Sequence, residues 1–95
     1  MIETVLGGIP VDRLGCSLSH EHVLVDFVGA AEVSPDRYDA DEVFRVARPY
    51  LEQVASHGVK TVFECTPLFL ARDPVLLRRL SEATGVYLVT NTGLY

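Results

Sequence analysis

Residues 18–25, Leu-Ser-His-Glu-His-Val-Leu-Val, place two histidines one residue apart inside an apolar run. The apolar and β-branched neighbours, with Gly15 just before them, predict a β-strand rather than a helix. Side chains alternate between the faces of a strand, so we expect His20 and His22 on one face and Glu21 on the other. Two imidazoles on one face can reach the same ion at about 2.0–2.1 Å. The pair is therefore a candidate metal site, with Glu21 as a supporting or structural carboxylate. The alternative is two ordinary polar residues with backbone partners.

The composition narrows the class of protein. Ninety-five residues make one small domain, and a hydrophobic content of 48% is high for so short a chain. We therefore expect apolar surface that another chain or a continuation of this one buries. A net charge of −5 without a basic cluster argues against nucleic acid as a partner.

No apolar run approaches the ~20 residues of a membrane span, and no signal peptide is recognised, so a cytoplasmic protein is expected. Cys16 and Cys65 lack metal-binding spacing and are predicted to be small buried thiols.

The first residues and the first helix follow from local signals. Gly7-Gly8 lies between two short apolar runs and predicts the turn of a hairpin, interpreted as a lid or plug at a barrel end. Residues 27–38 lack a period and predict a loop, either functional or a surface insertion. From residue 41 a helical period begins, with Asp39 or Asp41 as N-cap and Gly58 after its end. Pro49 predicts a kink or break around Val46–Arg48.

The second half alternates strand and helix. Residues 61–66 predict a strand, and residues 86–90 predict another. Between them, Asp73, Pro74 and Gly85 mark the N-cap, first turn and end of a helix. Its buried stripe is predicted to consist of Val75, Leu76, Leu80 and Ala83. Strands that alternate with helices imply parallel pairing through right-handed crossovers. The sheet edge after the last strand is expected to be open.

Functional groups of parallel α/β folds lie at the carboxyl ends of the strands. His20, His22, Thr66 and Tyr95 are expected to converge on that rim. Zinc needs at least one further protein ligand. His57, the remaining histidine, follows a helix at the opposite rim and is interpreted as a partner of the last helix carbonyls.

Residues 15–23, Gly-Cys-Ser-Leu-Ser-His-Glu-His-Val, resemble the G-x-[ST]-L-x-H-E-H-[LV] signature of the phosphotriesterase family in the amidohydrolase superfamily. The similarity continues through residues 58–62, 72–73, 84–85 and 92–95. It implies a (β/α)8 TIM barrel of about 300 residues, of which residues 1–95 would be the incomplete N-terminal portion, a hairpin and the first three strands. Ala71 departs from the pattern, because a glycine usually precedes Arg-Asp, and a stiffer loop is expected.

The resemblance also implies a binuclear metal centre, most often two zinc ions, in which His20 and His22 bind one ion. The other ligands would follow Tyr95, so no catalytic residue is assigned within residues 1–95 and this part alone is predicted to be inactive. Substrates would be small esters, lactones or phosphotriesters, and the complete protein would be a homodimer. Tyr95 matches a substrate-binding position and resembles the lactonase-like branch. Glu64 is interpreted as a structural carboxylate, paired with an arginine or a backbone donor.

Two alternatives to a hydrolase stay open. One is a non-catalytic, truncated α/β module that binds a partner through its open sheet edge. The other is a mononuclear zinc protein in which His20 and His22 of several chains meet.

Overall fold

The computed structural model describes residues 1–25, 31–32 and 34–93. The chain begins with an antiparallel hairpin of β1 (Ile2–Thr4) and β2 (Gly7–Ile9), in which Thr4 pairs with Gly7. Val5 and Leu6 form the turn, so the prediction of a turn at Gly7-Gly8 is wrong. The Thr4 hydroxyl closes this turn, because it donates to the Gly7 carbonyl at 2.7 Å and accepts the Leu6 N–H at 3.1 Å.

Three parallel strands form the sheet, in the order β3 (Cys16–Glu21), β4 (Val59–Glu64) and β5 (Tyr87–Val89). The predicted parallel order is confirmed. The hairpin is attached to the sheet, since the Val5 N–H donates to the Leu88 carbonyl at 2.9 Å. Between Leu18 and Glu21, β3 advances three residues while β4 advances two, from Val62 to Glu64. This β-bulge around Ser19 and His20 is of the kind that re-aims side chains near functional sites.

Helix α1 (Ala40–Ser56) joins β3 to β4. The Asp39 carboxylate accepts the N–H groups of Asp41 and Glu42, and Gly58 follows the helix at φ +91°, as predicted. The helix continues without interruption through Pro49, so of the predicted kink or break the break is wrong. Pro49 and Arg45 are both exposed. Water can therefore solvate the Arg45 carbonyl that loses its helical partner.

Helix α2 (Pro74–Thr84) joins β4 to β5 and has the predicted ends. The Asp73 carboxylate accepts the Leu76 N–H at 3.0 Å, and Gly85 lies at φ +74°. The predicted stripe is partly wrong, because Val75 is 72% exposed, Ala83 is only half-buried, and Leu77 and Ser81 are buried beside Leu76 and Leu80. The face towards the sheet is therefore rotated by about one residue from the prediction.

One apolar core is formed by side chains of α1, α2, β4 and β5 and of the residue just before β5: Leu51, Val62, Leu76, Leu77, Leu80, Val86 and Leu88. Each such side chain contributes about 1.5–3 kcal/mol when it leaves water. Cys16 is exposed and Cys65 half-buried, and both are free thiols. The prediction of a buried Cys16 is wrong because β3 is an edge strand of this sheet. Within the described ranges, neither helix is long and apolar enough to span a bilayer.

Candidate metal centre

His20 and His22 lie side by side at the carboxyl end of β3. Their ring centroids are 5.2 Å apart and the rings meet edge to face at 69°. Both residues are exposed. Two imidazoles bound to one tetrahedral zinc ion at about 2.0–2.1 Å have centroids roughly 5 Å apart. The separation of the pair therefore fits two ligands of one ion.

The His22 ring also contacts the adjacent strand. Its Nδ1 atom is 2.8 Å from the hydroxyl of Thr66, which lies two residues beyond β4 and is fully buried. While Nδ1 makes this contact, Nε2 is the ring nitrogen of His22 that stays open to a further partner. The sequence placed Thr66 on this rim but gave it no role, because the signal is a single threonine before Pro67.

Two side chains hold the backbone around Thr66. Its N–H donates to Oε1 of Glu64 at 2.6 Å, and its carbonyl accepts the side-chain amide of Asn91 at 3.0 Å. The same amide donates to the Glu64 carbonyl at 3.2 Å. Glu64 is 3% exposed, and its backbone-donor partner confirms the structural interpretation of this carboxylate.

Arg72 extends this network to the segment that follows β5. Its Nη1 donates to the carbonyl of Asn91 at 2.7 Å and to that of Gly93 at 3.2 Å. Ala71, the residue before it, has φ +76° and ψ +35°, a left-handed conformation that glycine adopts without steric cost. This backbone geometry explains why a glycine suits the position.

The other candidate residues lie elsewhere. Glu21 is exposed, and its carbonyl accepts the Cys65 N–H at 2.8 Å. His57 is exposed after α1, where its own N–H, not its ring, satisfies a helix carbonyl, that of Val54 at 3.1 Å. Tyr95 lies outside the described residues. Among the residues that the structure describes, no three His, Cys, Asp or Glu side chains are grouped to hold a metal. The described part thus contains two candidate ligands of an incomplete site.

The hairpin and the parallel βα units agree with the beginning of a (β/α)8 barrel, the class of fold that was predicted. The model of the Phosphotriesterase family matches residues 1–95. The chain therefore belongs to the phosphotriesterase family.

Similar proteins agree with this assignment. An aryldialkylphosphatase of Saccharolobus solfataricus is 35% identical over 82 residues, which are 86% of this chain and 26% of that protein. A phosphotriesterase homology protein of Mycobacterium tuberculosis is 32% identical over 95 residues, which are 99% of this chain and 29% of that protein. The chain thus spans under a third of the length of either relative.

The three-dimensional comparison confirms the predicted fold. The crystal structure of a variant of a PTE-like lactonase from Deinococcus radiodurans matches with a TM-score of 0.89 and 32% identity. The match covers 100% of this chain and 30% of that one. The α/β fold of residues 1–95 is the N-terminal hairpin and the first three strands of the barrel.

Proposed function

We propose that residues 1–95 form the N-terminal portion of a single metal-dependent hydrolase domain, in which His20 and His22 bind one ion of a two-zinc site. The observation that carries this proposal is the pair of rings 5.2 Å apart at the carboxyl end of the first barrel strand. Membership of the phosphotriesterase family supports it.

In this proposal the residues of the chain bind and orient. Divalent ions at such a site activate water and polarise a carbonyl or phosphoryl oxygen. His20 and His22 supply neutral imidazole lone pairs, and the Thr66 hydroxyl holds the His22 ring. The remaining ligands, and the aspartate expected to carry the proton, are proposed to lie after Tyr95.

The proposed substrates are small esters, lactones or phosphotriesters. Two similar proteins are named aryldialkylphosphatase and PTE-like lactonase, and these names support both kinds of substrate. We rank lactones first because Tyr95 resembles the lactonase-like branch. The substrate-binding role of Tyr95 and the homodimer of the complete protein remain predictions.

Metal analysis of the full-length protein tests the assignment. Zinc per protomer and lactone hydrolysis are measured for the unmodified protein, His20→Ala and His22→Ala. We expect both variants to lose one ion and nearly all activity. His57→Ala is the matched control and should keep both, because it removes an exposed histidine before the amino end of β4, whereas the pair lies at the carboxyl end of β3. Full zinc content and activity in His20→Ala or His22→Ala would contradict the proposal. An unmodified protein that binds no divalent metal would favour the partner-binding alternative.

A further inference from the structure

We propose that Thr66 is a positioning residue for metal binding: its hydroxyl accepts the Nδ1–H of His22 and thereby keeps Nε2 of that ring free for a divalent ion. This inference rests on the proposed function, since it takes His22 as a ligand. It adds a specific role for Thr66, which follows β4 and not the histidine strand.

The proton count of the imidazole leads to this assignment. A neutral imidazole carries one proton, on either Nδ1 or Nε2, and only the other nitrogen has a lone pair for a metal. Nδ1 of His22 is occupied by its 2.8 Å contact with the Thr66 hydroxyl. If Nε2 is the ligand atom, the proton must be on Nδ1, and the Thr66 oxygen must be the acceptor.

The position of the Thr66 hydroxyl is set by elements other than the histidine strand. The side chain is fully buried and β-branched, so its rotamers are restricted. Its peptide groups are held by Glu64 at 2.6 Å and by Asn91 at 3.0 Å. The Thr66 hydroxyl therefore has a restricted position, and the His22 ring is hydrogen-bonded to it.

His22 needs such a contact because it lies one residue past the end of β3. The last backbone link there joins the Glu21 carbonyl to the Cys65 N–H at 2.8 Å. The residues that follow these two, His22 and Thr66, are joined through their side chains. The side-chain hydrogen bond thus continues the pairing of β3 and β4 beyond the backbone ladder. Partners that orient a ligating histidine in this way typically change metal affinity 10–100-fold when removed.

The experiment compares three threonine variants of the full-length protein. Thr66→Val keeps the shape of the side chain and removes the hydroxyl, and Thr66→Ser restores it. Thr61→Val is the matched control, since Thr61 is also fully buried on β4 and its hydroxyl donates to the Leu14 carbonyl at 2.7 Å. Zinc affinity is measured by competition with a chromogenic chelator. The His22 tautomer is read from two-bond 15N–1H spectra of metal-free, 15N-histidine-labelled protein at a pH of about 8.5, well above the ordinary histidine pKa of about 6.5.

We expect the Nδ1–H tautomer of His22 in the unmodified protein, in Thr66→Ser and in Thr61→Val. In Thr66→Val the Nδ1–H form should no longer be the predominant tautomer of His22, and zinc affinity should fall about 10–100-fold. An Nε2–H tautomer in the unmodified protein would overturn the inference without any variant. Loss of zinc in His22→Ala together with full affinity in Thr66→Val would overturn the role of Thr66 alone. Unchanged zinc affinity in His22→Ala would overturn the assignment of His22 as a ligand, and the role of Thr66 with it.

Discussion

The hydroxyl of Tyr38 donates a hydrogen bond to Oδ2 of Asp73 at 2.5 Å. Asp73 is the N-cap of α2, and its other carboxylate oxygen accepts the Leu76 N–H. Tyr38 belongs to the segment between β3 and α1. The Asp73 carboxylate therefore caps α2 and also binds a residue of the segment that follows the histidine strand. The two residues are 35 positions apart in the chain.

Removal of the Tyr38 hydroxyl should destabilise the protein. Tyr38→Phe loses a charge-assisted hydrogen bond in a half-buried site, at a cost of about 1–2 kcal/mol. Urea unfolding of the full-length protein measures this free energy. Asp73→Asn is the companion variant, because its amide oxygen can still cap α2 while the charge is lost. A Tyr38→Phe variant as stable as the unmodified protein would show that the contact contributes nothing.

The same contact predicts a loss of stability in alkali. Burial, and then the hydrogen bond and negative charge of Asp73, raise the pKa of Tyr38 above its usual value of about 10. The unfolded state therefore releases this proton first as the pH rises. Above pH of about 10, the free energy of unfolding should fall by at most about 1.4 kcal/mol per pH unit, reduced by solvent screening. Unfolding at pH values from about 8 to 11 tests this prediction, and an equal slope in Tyr38→Phe would contradict it.

Asn91→Asp should destabilise the protein, because it removes the two hydrogen bonds that the Asn91 amide donates. The aspartate keeps an acceptor for the Gly93 N–H, 2.8 Å away, but cannot donate to the Glu64 and Thr66 carbonyls. It also places a negative charge beside them. We expect a loss of about 2–3 kcal/mol in the free energy of unfolding.

Glu82→Gln provides a surface reference for the size of this loss. It removes an exposed ion pair with Arg78, which should cost at most about 0.5 kcal/mol. Denaturant unfolding of both variants checks the prediction. It would be contradicted if Asn91→Asp were no more destabilising than Glu82→Gln.

Gly85→Ala should cost about 1 kcal/mol through backbone strain alone. Gly85 ends α2 at φ +74°, and a Cβ atom there would meet no atom of the described residues within 4 Å, its two chain neighbours aside. Because no clash is created, the cost is that of a left-handed conformation in a residue with a side chain. Gly85→Asn is the matched control and should lose less, since asparagine tolerates this conformation. Equal thermal midpoints for Gly85→Ala and the unmodified protein would exclude the strain.

Metal removal should lower the stability of the full-length protein through the proposed site. A ligand that binds only the folded state adds about 2.7 kcal/mol at a free concentration 100 times its Kd. A chelator should therefore lower the melting temperature of the unmodified protein and of His57→Ala. The chelator effect should be smaller in His22→Ala, because one ligand is missing. The same chelator effect in all three proteins would count against the histidine pair as a metal site.

Interactions between residues close in the sequence determined the helices and strands of this protein and their order. The sequence Asp73-Pro74 and the later Gly85 predicted the bounds of α2, because a helix begins and ends through contacts within about four residues. The two-residue period of a strand predicted that His20 and His22 lie together, as they do, although the bulge at His20 and the end of β3 before His22 were not predicted. The alternation of strands and helices led to parallel pairing, and the nine-residue histidine signature to the family.

Only the tertiary structure decided the features that depend on distant residues. The hydrogen bond of His22 to Thr66 spans 44 positions, and the bonds of Asn91 to β4 and Thr66 span 25–27. Such contacts follow from how the strands lie side by side, which no local pattern encodes. The burial of Leu77 and the exposure of Val75 depend on the rotation of α2 against the sheet. The continuity of α1 through Pro49 depends on which side of that helix faces water. The sequence thus specified the elements and the histidine pair, and the packing of the strands specified the contact of His22 with Thr66.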